Sequence, residues 1–335
     1  MLKGHGDDIH DYEGRIKSNF SSNMYNGQDL SHLQNYLCKR IKRIHSYPEP
    51  DARSLASLLA QKHAIQTENV CVTNGAAEAI YLIAQAFRNS RTAIIIPTFS
   101  EYEDACRINE YEITYSTSLS QLPKGVELVW LCNPNNPTGS AYNKNALKEF
   151  ITNHPDIYFI VDQSYEAFVD QSFVLDTTTA VRHKNLILLH SMTKKYAIPG
   201  LRLGYLTAHA DLVRKVVAYR MPWSVNGLAV EAGKFLIENP SPLLNINDYL
   251  QETKRLQGAL SLIAGLMVYP THTHFFLCKL EHKKACDLKQ YLIDNHGILI
   301  RDAANFRGLD EHYFRLATQS RDENDTLVKA IREWI

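Results

Sequence analysis

The chain has 335 residues, 45% of them hydrophobic, enough for a large core and, on length, for two domains or one large domain with a smaller companion. Lysine plus arginine and aspartate plus glutamate both number 36, so the formal charge is zero and no basic excess favours nucleic acid or an anionic membrane; small-molecule chemistry is expected. Met1 to Asp8 lacks the apolar core of a signal peptide, no later run is long enough to span a bilayer, and six scattered cysteines without a CxxC pair suggest neither disulfides nor zinc, so a cytoplasmic location is expected.

In chain order, the first thirty or so residues are polar and irregular and read as an arm that packs on a second domain. Thr73-Asn74-Gly75-Ala76-Ala77-Glu78 carries a strand into a helix through small residues, which leaves backbone N–H groups open to an anion; alone it reads equally as tight helix packing. Ala93 to Ile96, Leu128 to Leu131, Tyr158 to Val161 and Leu186 to Leu189 read as buried strands. Helical spacing over Glu101 to Asn109, Lys144 to Asn153 and Asp211 to Arg220 completes the pattern of a parallel sheet, whose strand ends collect active-site residues. At those ends lie Pro97 to Tyr102, with aromatics suited to a planar ring or to a core, and Cys132-Asn133-Pro134-Asn135-Asn136-Pro137-Thr138-Gly139, a rigid turn presenting asparagine amides. Asp162-Gln163-Ser164-Tyr165 follows, a carboxylate with a phenol three residues on, which in isolation is equally a helix cap. The run through Leu189 empties into Ser191, Thr193 and Lys194, with Pro199-Gly200-Leu201-Arg202 beyond, and so sets a candidate amine nucleophile between two candidate phosphate ligands.

After about Asn226 the character changes. Helical Leu228 to Glu238 and Tyr249 to Ala264, strand-like Thr273 to Leu280, helical Ala285 to Asn295, strand-like Ile298 to Ile300 and Tyr313 to Ala317, and a final helix suggest a second α+β domain. His272 and His274 alternate as strand neighbours would, but no HExxH or His/Asp cluster accompanies them; a satisfied pair is expected and no metal.

Taken together, these pieces supply what pyridoxal phosphate needs: an amine, a carboxylate for the pyridinium nitrogen, donors for the ring hydroxyl, an aromatic face and a phosphate cup. On these residues the chain resembles the fold-type I pyridoxal-phosphate enzymes of the aspartate aminotransferase superfamily (class I/II), from Gly4 to nearly the C-terminus. The resemblance implies an α/β fold, a large domain with a mainly parallel seven-stranded sheet plus a smaller α+β domain. The expected divisions are an arm over residues 1–40, a cofactor domain over 41–226 and a small domain over 227–335. It implies that Lys194 is the catalytic Schiff-base lysine, Asp162 the pyridinium partner, and Asn136 and Tyr165 the donors to the ring oxygen. Ser191 and Arg202, with the backbone at Gly75, Ala76 and Ala77, would hold the phosphate. Phe99, more than Tyr102, would stack on the ring, and the spacing to Pro199-Gly200 and Arg202 selects Lys194 over its neighbour Lys195, a bystander.

Within the superfamily the segments are most similar to the threonine-phosphate decarboxylases of cobamide synthesis, with the histidinol-phosphate aminotransferases the near relatives. Gly4-His5-Gly6, Phe20-Ser21-Ser22-Asn23, Tyr196 to Tyr205, Met221 to Asn226 and Ile298 to Leu309 carry this likeness, although Asp7 and Asp8 stand where a glycine and an asparagine are usual. It implies a small phosphorylated amino substrate: decarboxylation of L-threonine O-3-phosphate to (R)-1-aminopropan-2-yl phosphate, or, as the alternative, amino transfer from histidinol phosphate. Arg315 matches the substrate-anion arginine and Arg301 a second one associated with phosphate; Asn23, His5 and Asn305 are further candidates for substrate contact. Arg321 could assist, or form a surface ion pair with its acidic neighbours. Tyr47, in a proline-fixed turn, resembles the tyrosine that reaches the cofactor phosphate of a neighbouring subunit, which implies a homodimer.

Overall fold

Alternation along four apolar runs places side chains in two separate cores, one on each face of a sheet. The computed structural model describes residues 8–12, 14–24, 27–240 and 245–335. Its strands are β1 (Ser18–Asn19), β2 (Val70–Thr73), β3 (Arg91–Ile95), β4 (Glu112–Ser116), β5 (Leu128–Cys132), β6 (Tyr158–Asp162) and β7 (Leu186–Ser191). They continue with β8 (Gly204–Ala208), β9 (Leu266–Val268), β10 (Phe275–Leu280), β11 (Ile298–Leu299), β12 (Arg301–Asp302) and β13 (Tyr313–Ala317). The larger sheet has seven strands in the order β2-β8-β7-β6-β5-β3-β4. Ile94, Trp130, Ile160 and Ile187 join one core, while Ala93, Val129, Phe159, Val161 and Leu188 join the other. Such near-continuous apolar strands need both faces covered, as parallel sheets do.

The pairs β4–β3, β3–β5, β5–β6 and β6–β7 are parallel, and β8 runs antiparallel to both of its neighbours, β7 and β2. Register fixes the site: Cys132 pairs with Asp162, and Asp162 with Leu189. The segments after β5, β6 and β7 therefore leave the sheet side by side at its carboxyl edge, where ligands bind in open α/β sheets.

The smaller domain carries a four-stranded antiparallel sheet, β12-β13-β10-β9. The arm contributes β1, parallel to β11, and buries Phe20 in the core of that domain; Asp8 forms an ion pair with Lys289. Two expected strands differ in detail. The run at Ile298 to Ile300 is split, because the chain changes sheets at buried Ile300, so that β11 pairs with the arm and β12 with β13. The run from Thr273 starts two residues late, because His272 donates its backbone N–H to Gly139 O at 2.9 Å and Thr271 Oγ1 bonds to the Phe275 carbonyl, which bends the chain against the large domain. Among the described residues no helix is long and apolar enough to cross a membrane.

Candidate active site

A cavity of about 240 Å³ opens where β5, β6 and β7 end, and the small domain closes it with Arg301, Asn305, Phe306 and Arg315. One end is built from backbone. The helix Gly75–Ala86 begins with no side-chain cap, and its first amides, at Ala76 and Ala77, lack intrahelical partners by geometry. Ser191 and Arg202 line the same end. Gly75 has φ +78°, and a Cβ there would sit 2.7 Å from Arg202 Nη2; the guanidinium thus fills the space that the missing side chain leaves. Arg202 is itself left-handed, at φ 54°, which turns its side chain back over the helix start. Two amides at a helix N-terminus, a hydroxyl and a guanidinium form a donor set suited to a phosphate dianion.

At the other end Asp162 is 4% exposed and held by two hydrogen bonds, which leave acceptor capacity on the carboxylate: Tyr102 donates its hydroxyl to Oδ2 at 2.7 Å, and the Ser164 amide donates to Oδ1 at 2.8 Å. Burial, then the Asp162 charge, pushes the Tyr102 phenol far above the usual tyrosine range, so it remains a donor. Tyr102 also lines the cavity but stacks on Trp130 at 5.4 Å and is fully buried, whereas Phe99 on the same wall is half-buried.

Between these ends Lys194 Nζ donates to Asn23 Oδ1 at 3.1 Å, and Asn23 Nδ2 donates to the Tyr165 hydroxyl at 2.5 Å. Burial is the largest of the influences that raise the Tyr165 phenol above its ordinary range, and it too stays a neutral donor. Asn23 is 4% exposed, and its backbone carbonyl accepts from His274 Nε2 at 3.1 Å. Burial depresses His274 to about 3, so it is neutral, with its Nε2 proton directed at Asn23. Asn136 Oδ1 accepts from Arg315 Nη1, and Arg315 Nη2 donates to the Ser21 carbonyl, both at 2.5 Å.

Arg301 and Arg315 are register partners on β12 and β13, so both side chains project from one face, and both are buried, at 8% and 3% exposure. Arg301 donates to Asn305 Oδ1 at 2.7 Å and lies over the Phe306 ring; burial lowers its pKa. Two like charges directly opposite each other in a sheet repel. An anionic ligand offsets that cost.

The structure thus brings Lys194, Asp162, Tyr165, Asn136, Ser191, Arg202, Ala76, Ala77, Phe99, Asn23, Arg301, Arg315 and Asn305 to one cavity. It does not bring Arg321 there: that residue is exposed at the start of the last helix and lines a separate surface cavity with Asp248, Glu252 and Glu323. Tyr47 also lies outside the cavity, 85% exposed beside the Trp223 ring. His5 lies outside the described residues, as do Gly4, Gly6 and Asp7. Sequence reasoning missed Tyr102 as the partner of Asp162 and His274 as the support of Asn23.

The donor set fits pyridoxal phosphate: a cup of amides and guanidinium at one end, a buried carboxylate at the other, and an amine between. The family signature "Aminotransferase class I and II" matches residues 15–331. Threonine-phosphate decarboxylase of Salmonella typhimurium is 32% identical over 309 residues, 86% of this chain and 83% of that protein. Histidinol-phosphate aminotransferase of Caldanaerobacter subterraneus subsp. tengcongensis is 32% identical over 311 residues, 88% and 86% of the two chains. The crystal structure of L-threonine-O-3-phosphate decarboxylase from Porphyromonas gingivalis superposes with a TM-score of 0.92 at 39% identity, covering 95% of this chain and 99% of that one. The chain therefore belongs to the class I and II aminotransferase family, a family of pyridoxal-phosphate enzymes with the aspartate-aminotransferase-like α/β fold.

Proposed function

We propose that this chain decarboxylates a small phosphorylated amino acid, L-threonine O-3-phosphate, to (R)-1-aminopropan-2-yl phosphate. The observation that carries the reading is the pair Arg301 and Arg315, cross-strand partners buried in one wall of the cavity. A substrate with both a phosphate and a carboxylate gives each guanidinium its own anion, and Arg's planar fork binds either group through two hydrogen bonds. Arg315 takes the carboxylate and Arg301 the phosphate in this assignment.

When bound, pyridoxal phosphate supplies a carbonyl carbon for the substrate amine and a protonated ring that accepts an electron pair. Ser191, Arg202 and the amides of Ala76 and Ala77 hold its phosphate, with Gly75 keeping that approach open. Asp162 pairs with the ring nitrogen and keeps it protonated, an arrangement that Tyr102 and Ser164 fix from behind. Asn136 and Tyr165 serve the ring oxygen, and Phe99 covers a ring face. Lys194 Nζ, oriented by Asn23, binds the cofactor as an amine and carries the proton that replaces carbon dioxide on the same carbon. Arg315 would help decide which bond breaks by fixing the orientation of the substrate carboxylate; burial excludes water from that contact.

A second reading is supported by the equal identity of histidinol-phosphate aminotransferases: amino transfer from histidinol phosphate, with the Cα proton removed by the same lysine. Purified protein supplied with pyridoxal phosphate decides between the two. Carbon dioxide release from threonine phosphate supports decarboxylation; its absence, with glutamate formed from histidinol phosphate and 2-oxoglutarate, replaces it by transamination. Lys194→Ala abolishes turnover in either case, and a variant that retained it would leave only a cofactor-binding role.

The enzyme is also proposed to act as a homodimer with domain divisions near residues 40 and 226. Ile44, Tyr47, Met221 and Trp223 are exposed apolar residues around the turn that Trp223 N–H closes on Pro50 O, the kind of patch that marks an interface. Tyr47 then reaches the cofactor phosphate of the second subunit. Sedimentation equilibrium of the wild type, expected to give a dimer, checks this.

A further inference from the structure

Residues one step along the chain from three candidate cofactor ligands converge behind the site: Glu166 follows Tyr165, His190 precedes Ser191 and Lys195 follows Lys194, and Tyr205, opposite His190 on β8, joins them. All four line a second cavity of about 40 Å³, and Ser191 lines both cavities. His190 is 1% exposed; its Nδ1 is 3.0 Å from Glu166 Oε2 and its Nε2 is 3.0 Å from Thr207 Oγ1. The His190 ring stacks on Tyr205 at 4.5 Å, and the Tyr205 hydroxyl lies 2.8 Å from His63 Nε2. Burial pushes the Glu166 carboxyl up, but His190 and Lys195 outweigh it and hold it below the usual range. Glu166 is therefore a carboxylate, and His190 donates its Nδ1 proton to it.

The place of this contact matters. The ladder between β6 and β7 ends at Asp162 and Leu189, with one further bond from Gln163 N–H to Leu189 O at 2.9 Å. Beyond that rung the two chains part, one toward Tyr165 and the other through Ser191 toward Lys194. The His190–Glu166 contact bridges them just past the last rung. A buried polar ring is costly unless its hydrogen bonds are complete, and both ring nitrogens of His190 have partners. Lys195, one residue from Lys194, adds its charge to the same cluster.

We propose that His190 and Glu166 are positioning residues: a clasp behind the cofactor site that keeps Ser191 in the phosphate cup and Tyr165 at the ring oxygen. This rests on the reading above only in taking pyridoxal phosphate as the ligand. Neither side chain touches cofactor or substrate.

The test is the retention of pyridoxal phosphate by the holoenzyme under dialysis, read as a dissociation constant, with the denaturant midpoint of each apoprotein measured alongside. His190→Ala and Glu166→Ala each weaken retention about tenfold, and the double variant no more than either single, as expected of two halves of one contact. Glu166→Gln, which keeps an acceptor oxygen for Nδ1, stays within about threefold of the wild type. His190→Phe keeps the stack on Tyr205 and fills the ring's volume, so it serves if an alanine variant does not fold; it too weakens retention about tenfold. Unchanged dissociation constants in the folded variants, or single effects that multiply in the double, overturn the clasp. A wild-type chain that takes up no pyridoxal phosphate overturns the clasp and the proposed function together, whereas a wild type that binds beside variants that bind equally overturns the clasp alone.

Discussion

Replacing Gly204 by alanine adds one methyl group at the start of β8, where there is no room for it. The new Cβ would lie 2.6 Å from Ala76 N, 2.8 Å from Gly75 C and 3.0 Å from His190 O, against 3.4 Å for ordinary contact, so about 0.8 Å must be found. All three obstacles are backbone, and β8 is paired in register on both sides at this position, opposite Thr73 and opposite Ser191. The helix start at Gly75 must therefore move, taking the amides of Ala76 and Ala77 with it. Overpacking of this kind costs about 1–3 kcal/mol. A phosphate that loses charge-assisted bonds to those amides loses about 1.5–3 kcal/mol more, or roughly ten- to a hundredfold in affinity. Denaturant unfolding of the apoprotein reads the first loss, and titration with pyridoxal phosphate followed by protein fluorescence reads the second. Gly200→Ala is the control, because no atom lies within 4 Å of its added Cβ, and it should leave both values near the wild type. A Gly204→Ala protein that behaves like Gly200→Ala in both assays would refute the packing argument.

Further outcomes follow from the site. Because the decarboxylation product lacks a carboxylate, Arg301→Gln should weaken product inhibition about tenfold or more while Arg315→Gln leaves it near wild type; inhibition constants for (R)-1-aminopropan-2-yl phosphate check the assignment. Arg315→Lys should keep pyridoxal phosphate bound yet lower kcat/KM by about a hundredfold, since an ammonium cannot replace the fork on Asn136 and the carboxylate; steady-state kinetics on loaded enzyme measure it. Stability should fall in mild acid. His274 is depressed from 6.5 to about 3 and His63 to about 4, both chiefly by burial, so each favours the folded state fully above pH 6.5 and progressively less as pH drops toward its folded value. At pH 5 His274 alone accounts for a loss on the order of 2 kcal/mol, and His274→Gln should flatten that limb of the unfolding curve. Glu103, held at about 2 chiefly by Arg307, adds a second loss only below its ordinary 4.5, so Glu103→Gln should alter the curve there and not between pH 5 and 6.5.

Much of the site was legible because its chemistry is local. A strand that ends in an aspartate, a turn of two prolines around asparagines, and a lysine between a serine and an arginine each advertise a role within a few residues, and the parallel β-pattern says that such strand ends meet. What joins them was not legible. Tyr102 reaches Asp162 across 60 residues and Lys194 reaches Asn23 across 171, and nothing in the spacing of either pair forecasts the contact. Arg321, which the sequence sets among plausible anion ligands, is turned outward because it begins a helix whose inner face is apolar.

The sequence by itself determined the alternation of apolar runs that builds a two-faced sheet, and the identity of the groups at its carboxyl edge, since both depend on periodicity and on residue type. Tertiary structure alone decided that Arg301 and Arg315 become cross-strand partners, that Asn23 is held between Lys194 and Tyr165, and that His190 meets Glu166. Those are consequences of register and domain packing. Sequence pattern specifies the face on which a side chain emerges; which distant residue it meets there is set only when the strands and the two domains have closed on one another.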